Sequence, residues 1–540
     1  MKKFLGSLIL VLLFAKVGMA QAQYQPYSYQ FYQKLNEDVY STKTRLHTSL
    51  KSYIIDSVLQ HRYDSLMNYG ADDQKHSWVH RKLFNEHLFD VKTPDYTFFG
   101  DYLPDLTVGR DFSGKRTTWL NTRGYQLGGT IGKKFYFYTN GFENQAVFPE
   151  YLTTYINQVA VVPGQAYDRT FSTKQTKDWS DVTGIISYTP IKYLNIMLGQ
   201  DKTFIGDGYR SMLLSDFASS YPSLKLTGTL GNVQYMVMYS YMVAPGYRPD
   251  QYAIGTRNKW AVFHYLDWNV NNRLSLGFFD AIVWPKIDPS TGNNRGFDFN
   301  YATPIIFLRP VDASNGSPGN AVIGFTGKYK ISDGLTTYGQ FVLDEFEAKS
   351  FFSGDGSSRN KYSVQFGIKG ADLFNVKALN YLVEYNSATP YTYSEGLDNI
   401  NNYAEQEEPL AHPFGANFRE VVGLLNYSYK RFDFSGEFDY GYYGLDMNGL
   451  NYGKDPFQLW SMPAKLDGNY IGQGLTTKMS YVEGKVAYLL NPKYNLRIEL
   501  GGLYRLEKNA QFNDKTTMIT IGLRSSFRTL YTDLASYKTH

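Results

Sequence analysis

The stretch "FDFSGEFDYGYYG", Phe432 to Gly444, alternates between two kinds of side chain. The first set is aromatic apart from one glycine and consists of Phe432, Phe434, Gly436, Phe438, Tyr440 and Tyr442. The second set is polar and contains Asp433, Ser435, Glu437, Asp439 and Tyr443. Successive side chains of a β-strand point to opposite faces of the sheet. The stretch therefore predicts a strand with one aromatic and one acidic face, placed between an apolar and a polar medium.

The same alternation recurs along most of the chain. It is clearest in "YSVQFGIKG" (362–370), "NLRIELGGLYRLE" (495–507) and "TMITIGLRSSF" (517–527). Very short turns, such as those at 133–134, 231–232 and 430–431, alternate with long loops rich in Gly, Asn and Ser. Seven charged residues fall on the polar faces of these strands: Asp433, Glu437, Asp439, Arg497, Glu499, Arg505 and Arg524.

These features together predict an all-β fold, a transmembrane antiparallel β-barrel. A soluble sandwich also alternates, but lipid requires a sheet that closes on itself and strands of roughly 9–11 residues or more. Short turns on the periplasmic side, long outer loops and aromatic girdles are typical of such barrels. We count roughly 17 strands between Arg123 and Arg528, and "DLTVGRD" (105–111) adds one. A barrel of about 18 strands, with apolar faces on outer-membrane lipid and charges in the lumen, is wide enough for a water channel unless it is filled.

The beginning of the chain has the features of a signal peptide. Lys2 and Lys3 precede an apolar run, and "AQA" at Ala20–Ala22 offers a cleavage site. The run is too short for a membrane anchor. We therefore predict a signal peptide at 1–22, the barrel at 97–528 and a C-terminal tail at 529–540, in the outer membrane of a Gram-negative bacterium with both termini periplasmic.

Residues 23–96 differ from the barrel because two stretches carry helical spacing. They predict a small, partly helical segment that lies in the periplasm or docks against the barrel mouth. His76 and His80 stand four apart, which is compatible with metal binding, but polar residues on a solvated helix are the favoured interpretation. No metal site and no cofactor are predicted.

The sequence does not indicate an enzyme or a nucleic-acid-binding protein. The 540 residues carry a formal net charge of only +4 and include no Cys. Asp344 and Glu345 are neighbours, so in a strand they point to opposite faces and are poorly placed to act as a catalytic pair. No catalytic residues are predicted.

One stretch stands out as a candidate binding site: "LGQDKTFIGDGYRSMLLSD", Leu198 to Asp216. Its Gly–Asp–Gly sequence permits a sharp bend, and its candidate ligand contacts are Asp201, Asp207, Tyr209, Arg210 and Asp216. The alternative is a bend held by hydrogen bonds inside the barrel. Further candidates for ligand contact are Arg309, Trp284 and Tyr391, together with Trp179 and Trp460, although an aromatic residue at these places could equally belong to an interfacial girdle.

A family resemblance runs through several segments. The stretch 198–216, "NTRGYQLGGTIGKKFYFYTNGFENQAVFPEY" (121–151), "FLRP" (307–310), "YGQFVLDEF" (338–346) and "PLAHPFGANFRE" (409–420) resemble the capsule-assembly Wzi family and the related gliding-motility RemB-type outer-membrane proteins of Bacteroidota. The resemblance implies a barrel of roughly 18 strands, helical elements that plug or line it, and no enzymatic activity. It also implies association with surface polysaccharide or with motility or secretion machinery.

Three functional hypotheses follow, with outer-membrane lipid as a partner in each. The favoured ones are a non-enzymatic barrel for capsule polysaccharide assembly or attachment, and a subunit of a motility or secretion assembly, which do not exclude each other. The alternative is a general or substrate-selective diffusion porin, because mixed luminal charge suits a wet channel.

Overall fold

The computed structural model describes residues 23–55, 57–70, 76–170, 175–244, 257–288, 291–316, 319–345 and 347–537. Eighteen long strands form one closed barrel. In chain order they are β1 Tyr96–Asp111, β2 Arg116–Ile131, β3 Phe135–Val147, β4 Thr176–Ile191, β5 Leu194–Asp201, β6 Tyr221–Leu230, β7 Val233–Val243, β8 Asn258–Asn269, β9 Leu274–Pro285, β10 Asn320–Ser332, β11 Leu335–Glu345, β12 Lys361–Gly370, β13 Leu379–Ala388, β14 Phe418–Tyr429, β15 Phe432–Leu445, β16 Leu475–Asn491, β17 Leu496–Lys508 and β18 Asn513–Arg524.

Each strand pairs antiparallel with its sequence neighbours, and β18 closes the ring on β1, from Met518 opposite Asp111 to Leu523 opposite Leu106. The predicted antiparallel barrel of about 18 strands is confirmed. The first strand is longer than the predicted 105–111, because its earlier half has a partner of its own. A short strand at Phe89–Lys92 pairs there, with Phe89 opposite Gly100.

The two faces of the barrel wall differ as the opening stretch predicts. In β15, Phe432, Phe434 and Phe438 point outward with 39% to 47% of their surface exposed, whereas Asp439, which follows Phe438, is completely buried inside. Backbone pairing is complete around the ring, and the outward band is apolar and aromatic, as lipid requires. The wall is that of an outer-membrane barrel.

The connections segregate by length, as in other barrels of this type. Turns such as 192–193, 231–232, 333–334 and 430–431 lie at one end, which we call the short-turn end. Long connections at 148–175, 202–220, 286–319, 389–417 and 446–474 lie at the opposite, long-loop end.

The described part of the chain contains seven helices: α1 Tyr29–Tyr32, α2 Asn36–Val39, α3 Ser57–Met67, α4 Trp78–Phe84, α5 Glu150–Val159, α6 Leu308–Ser314 and α7 Ala348–Ser353. Over the described residues, none of these helices has the length and apolar character needed to cross a membrane. Helices α3 and α4 cover the short-turn end, where Asn491 donates to the carbonyl of Lys82 at 3.0 Å.

The barrel interior is filled with side chains toward the long-loop end, whereas a cavity of about 610 Å³ lies at the short-turn end beside Phe31, Lys34 and Asp433. A large apolar cluster near the long-loop end joins inward residues of the wall, such as Met238, Phe263 and Met479, to residues of the loops, such as Leu213 and Phe414. All five of these side chains are fully buried. The lumen is therefore packed in this region like the core of a soluble protein.

Candidate functional site

The bend at 202–220 folds into the lumen instead of projecting outward. Glycine is required at two positions of the bend. Gly206 has a φ of +148°, which other residues rarely adopt, and a Cβ on Gly208 would overlap the Glu384 carboxylate. The backbone N–H groups of Tyr209 and Arg210 donate to that carboxylate, each at 3.0 Å. The bend is thus held by a wall residue that lies 174 positions away from Arg210.

Arg210 is the centre of a buried charge cluster. Its guanidinium lies 2.6 Å from Asp533 and 3.1 Å from Glu420, and Asp439 is 3.8 Å away. Glu420 also bonds the ring of His412 at 2.7 Å. The cluster joins the bend, strands β14 and β15, the 389–417 loop and the C-terminal tail at one point.

Asp207 anchors the N-terminal segment to the bend. Its carboxylate accepts hydrogen bonds from Tyr40 at 2.8 Å, Thr48 at 2.5 Å and Ser49 at 2.7 Å. Burial opposes ionisation of Asp207, but the nearby cations of Lys328 and Lys51 and these hydrogen bonds outweigh burial and lower its pKa well below the usual range. A charged carboxylate therefore fixes residues 40–49 inside the barrel.

The other predicted contacts of the bend are also internal. Asp201 accepts a hydrogen bond from Tyr24, and Tyr209 donates to Asp533 at 3.2 Å. Asp216 is 9% exposed, and burial raises the pKa of its carboxyl although Lys202 and a hydrogen bond with Tyr531 oppose the rise. These contacts are those of a bend held by hydrogen bonds inside the barrel, the alternative that the sequence leaves open.

The seven charges predicted for the polar faces point inward and meet partners within the chain. Asp433 accepts from Lys34 at 2.8 Å. Arg524 bonds Asp105 at 2.8 Å and Glu499 at 3.1 Å. Four further residues complete the set: Arg497 bonds Glu499, Arg505 bonds Glu507, the carboxyl of Glu437 lies close to that of Asp533, and Asp439 lies 3.8 Å from Arg210. Most of these ion pairs join residues of the wall to each other, and those of Asp433 with Lys34 and of Asp439 with Arg210 join the wall to segments inside the barrel.

Residues 24–55 pack against the inner wall and the short turns at the barrel mouth, whereas the sequence predicts that residues 23–96 lie in the periplasm or dock against the barrel mouth. Besides Lys34 and Tyr40, His47 bonds Asp267 of β8 at 2.8 Å, and Lys330 of β10 donates to the carbonyl of Ser41 at 2.9 Å. The physical reason is composition, because this segment mixes Tyr and Phe with Ser and Thr and so offers both apolar area and hydrogen bonds to the inward Lys and Asp residues.

The C-terminal tail also turns back into the barrel. The sequence predicts a periplasmic C-terminus, but residues 525–537 run inside the wall toward the long-loop end. Arg505 donates to the carbonyl of Leu534 at 2.9 Å, and the Tyr537 hydroxyl donates to the carbonyl of Pro413. Tyr531, Leu534 and Tyr537 pack in one cluster with helix α5, which gives the apolar residues of the tail a place away from water.

The aromatic candidates lie in different environments. Trp179 is buried inside the barrel, Tyr391 is buried between the 389–417 and 446–474 loops, and Trp284 is buried on the outward face beneath the 286–319 loop. Arg309 stands on α6 outside the wall, 3.9 Å from Asp312. Trp460 alone among these aromatic residues is partly accessible at the long-loop end.

Three long loops interlock into a surface that we call the outer platform, formed by residues 347–360, 389–417 and 446–474. Backbone hydrogen bonds join them, from Ser358 to Leu466 at 2.8 Å, from Trp460 to Glu395 at 3.0 Å and from Tyr391 to Gly453 at 2.9 Å. Beside Trp460 stands Lys361, whose ammonium is 5.2 Å from the indole centre and 2.9 Å from Asp344. Tyr470, in the same loop as Trp460, has 59% of its surface exposed. The platform offers aromatic faces next to polar groups on a fixed backbone.

Sequence reasoning missed the residues that lock the interior, chiefly Glu384, His412 and Asp533. His412 and Glu420 lie in the "PLAHPFGANFRE" motif, which was a usable signal. Asp533 stands in a tail without periodicity, so nothing local marked it.

Comparison with known proteins adds a similarity of fold. No protein-family model and no curated protein matches the sequence. Among solved structures, the chain is similar to Wzi of Escherichia coli, described as an outer membrane protein involved in group 1 capsule assembly and a carbohydrate-binding β-barrel. The TM-score is 0.54 at 13% identity, over 94% of this chain and 100% of that one.

Two looser similarities are to OprD of Pseudomonas aeruginosa and OccAB2 of Acinetobacter baumannii. Their TM-scores are 0.41 and 0.42 at 9% identity, over 79% of this chain and over 94% and 97% of theirs. The chain has the fold of an outer-membrane barrel similar in architecture to Wzi.

Proposed function

We propose that this protein is a non-enzymatic outer-membrane barrel that binds surface polysaccharide at its outer platform. The observation that carries the proposal is the combination of a filled lumen with interlocked outer loops. Packing inside the barrel holds the outer loops in a rigid arrangement. A rigid surface loses less conformational entropy on binding than a mobile one. The long-loop end faces outward in this proposal.

The chemistry of the outer platform supports a carbohydrate as the ligand. Aromatic faces pack against the C–H surfaces of sugar rings, while charged and amide groups hydrogen-bond the hydroxyls. Trp460 and Tyr470 supply such faces, and Glu345 and Glu395 supply acceptors close to Trp460 and Lys361. The carbohydrate binding stated for Wzi agrees with this choice.

The candidate contacts in the bend, Asp201, Asp207, Tyr209, Arg210 and Asp216, have a supporting role in this proposal. Their hydrogen bonds hold the loops and the chain segments packed inside the barrel, so they fix the shape of the platform from below. The diffusion-porin alternative is disfavoured because the N-terminal segment, the bend at 202–220 and the C-terminal tail occupy the lumen. A link to motility or secretion machinery rests on the motif resemblance and stays a prediction.

Binding to the producing strain's own surface polysaccharide tests the proposal. The purified full-length protein in lipid nanodiscs should bind that polysaccharide by biolayer interferometry. Tyr470→Ala and Trp460→Ala should each weaken binding about fivefold, since one aromatic contact contributes about 1 kcal/mol.

The matched control is Tyr69→Ala, which removes a tyrosine that is 39% exposed after helix α3 at the short-turn end. It should bind like the unmodified protein. Equal weakening by all three substitutions, or no binding by the unmodified protein, would overturn the proposal.

A further inference from the structure

The loop between β9 and β10 does not join the outer platform but lies against the outside of the barrel. It contains an unusual apolar run for a loop, "PIIFL" at Pro304–Leu308. Tyr301 and Leu308 are fully buried, and they pack against residues of the wall, namely Val237, Val262, Ile282 and Trp284. Their strand neighbours Met236, Phe263 and Ala281 belong to the inner cluster. The loop therefore covers the outward faces of β7, β8 and β9.

The loop reaches far down the wall. The Phe307 ring lies 5.8 Å from Phe278, which in turn lies 5.1 Å from Phe325 of β10. Phe278 stands seven residues below Pro285, the last residue of β9, so the loop descends roughly 23 Å along that strand. The apolar band of such barrels is about 25 Å tall. The tip of the loop is therefore level with the hydrocarbon of the membrane.

Polar groups of the wall explain why the loop is held there. Asp280 and His264 face each other across β8 and β9 and are 1% and 0% exposed, although both point outward. The N–H of Leu308 donates to Asp280 at 2.5 Å, and His264 bonds Tyr235 at 2.9 Å. A carboxylate facing lipid is unfavourable unless it is covered and hydrogen-bonded. The loop supplies both conditions.

The opposite surface of the loop exposes large apolar side chains beside the polar Asn300 and Arg309. Phe299, Ile305 and Phe307 are 82%, 65% and 59% exposed. Three large apolar side chains in water would be unfavourable, and Phe307 continues the outward apolar band formed by Phe278 and Phe325. We propose that residues 297–314 are embedded in the membrane as a lateral element of the barrel, with lipid acyl chains as the partner of Phe299, Ile305 and Phe307.

Spin labelling tests this proposal directly, because the chain has no Cys of its own. Phe307→Cys and Ile305→Cys would each carry a nitroxide on the full-length protein in phospholipid vesicles. Power saturation then measures collisions with oxygen, which concentrates in hydrocarbon, and with a water-soluble nickel chelate. Phe325→Cys is the control on the outward wall, and Leu397→Cys, 92% exposed on the outer platform, is the control in water.

Both loop labels should match Phe325→Cys, with high oxygen and low nickel collision rates. Labels that match Leu397→Cys would place the loop in water and overturn the proposal. Labels shielded from both reagents would also overturn it, because they would show a protein partner in place of lipid. The two loop positions serve as independent variants if one of them fails to fold.

Discussion

Arg210 brings together carboxylates from three parts of the chain: Glu420 of β14, Asp439 of β15 and Asp533 of the tail. Removing one partner of a buried ion pair leaves an uncompensated charge in a poorly solvated place. The side chain of Arg210 is only 2% exposed. We therefore attribute the docking of the tail to this one residue more than to any other polar contact.

Arg210→Met should lower the free energy of unfolding by about 3–5 kcal/mol and should release the tail first. Hydrogen exchange of the amides at 529–537 and urea titration measure the two effects. The control is Arg169→Met, an ion pair with Glu143 in which both side chains are about half exposed, and it should cost less than about 1 kcal/mol. Equal effects of the two substitutions would contradict the assignment.

Glu408 should make the stability of the 389–417 loop sensitive to pH. Burial raises the pKa of Glu408 to about 7, although the N–H of Gly164, the cation of Lys202 and Ser219 oppose the rise. Since the folded pKa exceeds the unfolded value, the contribution to stability is fully present below the unfolded pKa and is lost as the pH rises through about 7. Burial raises the pKa of the neighbouring Glu405 to about 8, which acts in the same direction.

Hydrogen exchange of the amides at 404–408, corrected for intrinsic rates, should therefore show less protection at pH 8 than at pH 5. Glu408→Gln keeps the shape of the side chain and should weaken this dependence, leaving the part due to Glu405. Protection that is constant or that rises with pH would contradict this account.

At the scale of elements, the sequence predicted the strands of the wall because apolar and polar side chains alternate along each strand according to the face on which they lie. β15 and β17 could be recognised from their amino-acid sequences alone. The filling of the lumen could not, because the partners of Arg210 lie up to 323 positions away. The alternation of β14 and β15 places Glu420 and Asp439 on an inward face but does not indicate what they meet there. The bend at 202–220 illustrates both cases: its glycines predicted a sharp turn, but the wall residue that requires them, Glu384, could not be inferred locally.

The C-terminal tail is the element whose removal should open the barrel. Deleting residues 529–540 removes Tyr531, Leu534 and Tyr537 from the cluster around α5 while leaving the pairing of β18 with β1 intact. Proteoliposomes with the truncated protein should swell in solutions of small sugars. The matched control, deletion of 538–540, keeps Tyr537 and should not swell. Identical behaviour of both deletions would show that the tail does not close the lumen.

At the scale of the whole molecule, four segments from distant parts of the chain share the interior: residues 23–55, the bend at 202–220, the loop at 389–417 and the tail. They meet at shared residues, such as Asp207 for the first two and Arg210 for the last three. A plug built this way is part of the folded core and not a detachable stopper. The barrel then serves as a support for the outer platform.

Planar-bilayer recording of the purified full-length protein tests this central claim most directly. The inward charges are paired and the apolar loops are packed, so the account predicts no discrete conductance steps at any moderate voltage, in preparations shown by heat-modified gel migration to be folded and inserted. Reproducible steps from the unmodified protein would mean an open water path through the lumen and would contradict the account.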